Sequence, residues 1–180
     1  MKISKSFKIY IHIILLYLIS HNLYGAEDFS KNIVIHEKPT QITELKFKDS
    51  DLNDVDLTNK KGNIMILNFW ATWCSPCLKE MPDMQELQKE LGSKILVLAV
   101  GMGEEAERIE KFQKKHRFEF QILPDPEMTV TQLYGVRNIP ITYLVNTSGI
   151  VVGRALGPRE WTRPKLLEFF ENLASEQPNP

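Results

Sequence analysis

Continuous apolar runs alternate with helix-length amphipathic segments along most of the chain. Residues 63–70 (NIMILNFW) and 94–100 (KILVLAV) have the length and composition of strands buried on both faces. Residues 104–116 (EEAERIEKFQKKH) favour an amphipathic helix, with acids at its start and bases at its end. Buried strands that alternate with helices are typical of an α/β domain built on one sheet.

The other predicted elements extend this order. A helix is predicted from about Cys74 to Leu91, where Gly92 ends it. The shorter elements are strands at 44–48, 55–57 and within 118–125, a short helix within 127–135, a hairpin of strands 141–146 and 150–156, and a last helix over 161–174. Together they predict a single domain over residues 44–175, with a short N-terminal strand extension. Residues 26–43 lack a clear period and are interpreted as a lead-in, and residues 176–180 as a flexible tail.

The first 25 residues have the pattern of an export signal. Lys2, Lys5 and Lys8 precede an apolar run at 9–19, which has signal-peptide length and is shorter than a bilayer span. An N-terminal membrane anchor that is not removed is the alternative. Either interpretation places the domain in the periplasm or another extracytoplasmic space, soluble after cleavage or tethered by the leader.

Composition and charge narrow the possible functions. The chain has 180 residues, of which 43% are hydrophobic and 25% charged, as expected of a globular protein. The formal net charge is −1, and without the three leader lysines it is −4. An acidic body offers no basic face for nucleic acid. Residues 101–106 (GMGEEA) match a dinucleotide-binding fingerprint, but two glutamates at a helix start would repel a pyrophosphate.

The two cysteines, Cys74 and Cys77, lie three residues apart with Pro76 between them. A zinc site needs about four ligands, and after the leader only His36 and His116 could add imidazoles. A structural staple across so short a loop would stabilise the fold little. A copper(I) site with one of the nearby methionines, Met81 or Met84, is chemically possible, although both residues also suit a core.

A redox pair fits this position best. Cys74 stands where the helix is predicted to begin, so its sulfur lies near the unpaired amides of the first turn, which lower a thiol pKa. Pro76 is tolerated there because a first-turn amide has no helical partner. Cys74 is therefore the candidate nucleophile, and Cys77 the thiol that resolves a mixed disulfide.

Two stretches carry a family resemblance. Residues 68–82 (NFWATWCSPCLKEMP) and 134–149 (YGVRNIPITYLVNTSG) resemble the thioredoxin fold, and more narrowly the exported TlpA/ResA-type thiol–disulfide oxidoreductases. The resemblance covers residues 44–174 and implies a central mixed β-sheet flanked by helices. It also implies a cis proline beside the cysteines at Pro140. Ile141 departs from the threonine common at that position, which would affect contacts with partners.

The resemblance also implies partners. These are protein thiols or disulfides, among them the haem-site thiols of apocytochrome c for some members, and a membrane thiol protein as electron donor. No cofactor and no metal site are predicted for the main interpretation of the sequence.

Two polar residues near the cysteines are candidates for proton transfer. Glu80 lies one helical turn after Cys77 and, if partly buried, could accept the Cys77 proton. The resemblance also implies a role for a glutamate at this position. The alternative is a surface glutamate paired with Lys79 or Lys89. Asn68 lies in the buried strand where classical thioredoxin has an aspartate. Asparagine in place of that aspartate leaves Glu80 as the nearest candidate proton acceptor. The alternative for Asn68 is a hydrogen-bonded buried amide without a catalytic share.

Neutral surroundings favour a reductase over a disulfide-forming oxidase. Strong oxidants lower the pKa of the nucleophile strongly, whereas Pro76 and Ile139 offer the cysteines neither charge nor a side-chain hydrogen bond.

Trp73, with Trp70, is expected to wall the active site, and core packing is the alternative for such rings. The competing hypotheses remain a disulfide-forming oxidase and a copper(I)-handling thiol module.

Overall fold

The computed structural model describes residues 33–41, 46–48, 54–56 and 62–175. The predicted leader over residues 1–25 and the tail over 176–180 lie outside the described residues. Within the described part of the chain, every helix is too short or too polar to span a membrane.

Eight strands and four α-helices make up the described structure. The strands are β1 (Ile33–Gln41), β2 (Lys46–Lys48), β3 (Asp54–Asp56), β4 (Ile64–Trp70), β5 (Ile95–Met102), β6 (Gln121–Asp125), β7 (Ile141–Val145) and β8 (Ile150–Leu156). The helices are α1 (Ser75–Leu91), α2 (Ala106–His116), α3 (Thr129–Leu133) and α4 (Pro164–Ser175), with a short 3₁₀ turn at Gly92–Lys94.

Six of these strands form one mixed sheet in the order β1-β8-β7-β4-β5-β6. Strands β4, β5 and β6 are parallel, whereas β7 runs antiparallel to β4, and β8 pairs antiparallel with both β7 and β1. Helices α1, α2 and α4 pack against β5, β6 and β4 respectively. The α/β fold with a central mixed sheet flanked by helices, predicted from the sequence, is confirmed.

Strand β1 lies inside the segment that sequence analysis interpreted as a lead-in without a clear period. Ile33–Gln41 pairs antiparallel with β8 at the sheet edge, with a register shift between Ile35 and Thr40. The sequence of this strand, IVIHEKPTQ, has no sustained alternation of apolar and polar residues, so no strand period is visible in it. Pro39, which would interrupt a central strand, is tolerated at an edge or bulge.

Strand β4 and helix α1 position the cysteines. All seven residues of β4 are buried between β5 and β7, and the strand leads through a short turn into α1. The predicted helix from Cys74 to Leu91 is confirmed, with Cys74 as its N-cap and Leu91 as its last residue. Gly92 ends it with a φ of 56°, which only glycine adopts at little cost.

Gly101→Ala is expected to destabilise the domain by about 1–3 kcal/mol. The new Cβ would lie 2.7 Å from Ile109 Cδ1 and 3.1 Å from Glu104 Cβ. Ile109→Val removes the Cδ1 atom, so the double variant should lose less stability than the two single losses added together. Chemical unfolding of the four proteins measures this, and additive losses would contradict the steric explanation.

Candidate active site

The two cysteines form a disulfide at the start of α1. Their Cα atoms are 5.3 Å apart, within the usual range for a disulfide. The Cys74 amide donates to the Ala71 carbonyl at 3.0 Å, which closes the turn after β4. The Cys77 amide donates to Cys74 Sγ at 3.3 Å. A first-turn amide therefore points at the Cys74 sulfur, as predicted from its place at the helix start.

The surroundings of the two sulfurs differ. Cys77 is fully buried, whereas Cys74 keeps 4% of its surface exposed. Next to Cys74, Ser75 and Pro76 are exposed, and Trp73 is 70% exposed. A partner protein can therefore approach Cys74 across these three residues, while Cys77 lies behind it.

Trp70 does not wall this surface. It is fully buried, and its ring lies 4.6 Å from that of Phe112 on α2. For Trp70 the core-packing alternative is correct, and the expectation of a wall holds only for the exposed Trp73.

The Ile139–Pro140 peptide bond is cis, as the resemblance implied. Pro140 is buried and Ile139 half-buried. In the β4–β7 ladder Ile141 is opposite Phe69, so Pro140 lies level with the end of β4, where the cysteine-bearing turn begins. The Pro140 carbonyl accepts from the Gly157 amide at 3.0 Å, which ties the segment to the end of β8.

Glu80 lies inside the protein, with 2% of its surface exposed. Oε1 accepts from Asn68 Nδ2 at 2.9 Å. Oε2 accepts from the Arg159 amide at 3.1 Å and from Trp161 Nε1 at 3.2 Å. The alternative of a surface glutamate is therefore wrong, and Lys89 instead pairs with Glu86.

The pKa of Glu80 is raised to about 7. Burial is the main cause, because it disfavours the charged carboxylate. The hydrogen bonds from Trp161, Arg159 and Asn68 and the charge of Arg159 act in the opposite direction without cancelling that effect. At neutral pH the carboxyl can therefore both accept and release a proton, the property required of a general acid–base group.

Asn68 connects Glu80 to the sheet. Its Nδ2 donates to Glu80 Oε1 and to Thr142 Oγ1, both at 2.9 Å, and Thr142 is its register partner on β7. Among the described residues, Asn68 Oδ1 has no hydrogen-bond partner. Asn68 is thus a hydrogen-bonded buried amide, and it also orients the Glu80 carboxylate.

Sequence reasoning missed the contacts of Trp161 and Glu104. Trp161, in the loop before the last helix, donates its indole N–H to Glu80. Glu104 is 2% exposed, and its Oε1 accepts from both the amide and the hydroxyl of Thr72 at 2.7 Å. It thereby anchors the turn that carries Trp73 and Cys74. The contact of residues 157–161 (GPREW) with Glu80 is hard to predict from the sequence, because Glu80 lies about 80 positions earlier in the chain.

The soft ligands considered for copper lie in the core. Met81 and Met84 are both fully buried on α1. Within the described residues, no three His, Cys, Asp or Glu side chains are grouped so that they could hold a metal ion.

A Cys-x-x-Cys pair at a helix start is a site for thiol–disulfide exchange. Here the pair lies beside a cis proline and one helical turn from a buried carboxyl whose pKa is about 7. The model of the AhpC/TSA family matches residues 39–154, so the chain belongs to that family.

Several relatives and one solved structure are similar to this chain. The chain is 36% identical to the thioredoxin-like protein YneN of Bacillus subtilis over 72% of its own length and 76% of the relative's. It is 32% identical to the thiol-disulfide oxidoreductase ResA of Bacillus cereus over 93% and 95% of the two chains. A putative thiol:disulfide interchange protein DsbE from Chlorobium tepidum, 27% identical, superposes with a TM-score of 0.64 over 76% of this chain and 94% of the other.

These comparisons confirm the thioredoxin-like fold and the TlpA/ResA-type resemblance predicted from the two motifs. The protein is a thiol–disulfide oxidoreductase with a Cys-x-x-Cys pair.

The buried Glu80 carboxyl should make stability depend on pH. The folded protein holds this proton up to pH about 7, whereas an ordinary glutamate releases it near 4.5. Stability from this group is therefore greatest below pH 4.5, and the free energy of unfolding should fall by about 3 kcal/mol as the pH rises to about 7.

Urea unfolding of oxidised wild type and Glu80→Gln across this pH range measures the effect. The variant should gain about 3 kcal/mol relative to wild type between pH 4.5 and 7, because it has no proton to release. Glu86→Gln controls for removal of a carboxylate from the same helix. A difference between wild type and Glu80→Gln that stays constant over the range would contradict the assignment.

Proposed function

We propose that the protein is an extracytoplasmic reductase of protein disulfides, in which Cys74 attacks the substrate, Cys77 resolves the mixed disulfide and Glu80 accepts the Cys77 proton. The observation that carries the proposal is the buried Glu80 carboxyl, one helical turn beyond Cys77 and with a pKa of about 7.

The exchange proceeds in two steps. The Cys74 thiolate attacks one substrate sulfur, so a mixed disulfide forms and the first substrate thiolate leaves. Cys77 then passes its proton to Glu80 and attacks Cys74 Sγ, which releases the second substrate thiolate and closes the Cys74–Cys77 disulfide. Two electrons pass to the substrate, and Glu80 afterwards returns its proton to solvent or to a leaving thiolate.

Exposure supports this division of roles. Cys74 retains some contact with solvent beside Trp73 and Pro76, whereas Cys77 has none. An external disulfide can therefore meet Cys74. A buried Cys77 cannot give its proton directly to water, so it needs an internal acceptor, and Glu80 lies one turn along the same helix.

The direction of the reaction follows from the neutral environment of Cys74. Ser75 and Pro76 carry no charge, Ile139 is aliphatic, and Lys79 points to solvent at an exposed position. The helix amides remain as the main stabilisation of the thiolate, so its pKa falls only moderately and the dithiol stays a good reductant. The disulfide-forming oxidase is the alternative.

The location and the substrate rest on the sequence and the relatives. The leader over residues 1–25 supports export, with cleavage or with the leader kept as a tether. The relative named ResA and the resemblance to its type favour oxidised haem-site cysteines of apocytochrome c as the first substrate to test. A reductant outside the cytoplasm must be recharged, so a membrane thiol protein is the proposed donor.

Substitution of each cysteine tests the roles. Cys74→Ser should lower insulin reduction to the level of the double variant Cys74→Ser/Cys77→Ser and form no mixed disulfide. Cys77→Ser should still form a mixed disulfide with oxidised glutathione, visible by mass spectrometry, but should fail to release it. Reversed phenotypes would overturn the assignment of the nucleophile.

The reduction potential tests the direction. We expect a value nearer that of thioredoxin, about −270 mV, than that of the oxidant DsbA, about −120 mV, on equilibration with glutathione buffers. Pro76→His adds a cation beside the nucleophile and should move the potential upward, which makes it a matched comparison. A wild-type potential above about −150 mV would favour the oxidase instead.

A further inference from the structure

The loop between β8 and α4, residues 157–163, is bound to two carboxylates on one face of α1. The Arg159 amide and the Trp161 indole both donate to Glu80 Oε2. One turn further along α1, Asp83 accepts from the Thr162 amide at 3.1 Å and from the Thr162 hydroxyl at 2.6 Å. A single loop thus supplies four hydrogen bonds to the helix that carries the cysteines.

We propose that Trp161 is a positioning residue for thiol exchange, whose indole N–H fixes the Glu80 carboxylate beside the Cys77 turn of α1. This inference rests on the proposed role of Glu80 as acceptor of the Cys77 proton.

The packing of Trp161 suits this role. The side chain is fully buried, its ring lies 6.4 Å from that of Phe170 on α4, and the Arg159 guanidinium lies 5.8 Å from its centroid. A ring held on its faces has little freedom to turn, so its one polar atom has a fixed direction. Because Asn68 holds Oε1 and the loop holds Oε2, both oxygens of Glu80 are constrained.

The donor set also controls when Glu80 is ionised. An N–H directed at a carboxylate favours the charged form, so loss of the Trp161 donor should raise the pKa of Glu80 further above 7. Among the described residues, the charge that acts on Glu80 is that of Arg159, and it also favours ionisation. Asn68 on β4 and Thr142 on β7 are uncharged, and Asp83 is already engaged by Thr162.

Trp161→Phe in the full-length protein removes the N–H and keeps an aromatic ring. We expect the alkaline shift of the Glu80 titration, followed by ¹³C-carboxyl NMR, to be about one pH unit. The rate of disulfide exchange should shift along the pH axis by the same amount, and it should fall about tenfold at pH 6. Thr162→Val is the matched control, because it removes a hydrogen bond from the same loop to α1 without touching Glu80.

Combination with Glu80→Gln separates positioning from loss of structure. If Trp161 acts through Glu80, Trp161→Phe should not lower the rate further in a Glu80→Gln background. Replacement of Trp161 by 3-benzothienylalanine removes only the N–H from a ring of nearly the same shape, and it should reproduce the shift even where the phenylalanine variant is poorly folded.

The outcomes distinguish the two proposals. If Glu80→Gln changes the pH profile but neither Trp161 variant does, the positioning role is overturned and the role of Glu80 stands. If Glu80→Gln leaves the exchange rate unchanged at every pH, the acceptor role and this inference both fall. A shift of equal size in Thr162→Val would show a general effect of the loop and would also overturn the inference.

Discussion

The buried carboxyl of Glu80 is the constraint around which the site is organised. A carboxylate without solvent is strongly destabilising unless donors surround it, and here three donors come from two other parts of the chain. Asn68 belongs to the central strand, whereas Arg159 and Trp161 belong to the loop after the last strand. The helix, the sheet and that loop must therefore be correctly assembled before Glu80 can be accommodated. The same assembly puts a titratable group one turn from Cys77.

A second buried carboxyl, that of Glu104, anchors the turn that precedes the cysteines. Glu104, at the start of α2, takes both hydrogen-bond donors of Thr72 and so holds the turn between β4 and α1. Its other oxygen, Oε2, lies 3.4 Å from Arg108 Nε. Glu80 joins α1 to strand β4 and to the loop before α4, whereas Glu104 joins the turn at Thr72 to the segment before α2.

The parts of this arrangement that depend on local pattern could be predicted from the sequence. Apolar runs predicted the buried strands, and the position of Cys74 before a helical segment predicted its contact with a first-turn amide. Strand β1 escaped because an edge strand is defined by its partner's backbone and leaves little trace in its own side chains. Trp161 and Glu104 escaped for another reason. An apolar ring before a helix and an acid at a helix start are each common, and only the three-dimensional fold shows which polar group each one meets.

In the proposed mechanism, the contrast between the two sulfurs is the reason for an internal carboxyl. Cys74 can exchange protons with solvent at the surface, and the helix amides stabilise its thiolate. Cys77 has neither advantage in full, since it is completely buried and lies deeper in the first turn. If the carboxyl were as acidic as an exposed glutamate, it would be a weak base for a thiol. If it were buried without donors, it would stay protonated at neutral pH. Burial together with three N–H donors leaves its pKa between these limits, as the proposed transfer of the Cys77 proton to Glu80 requires.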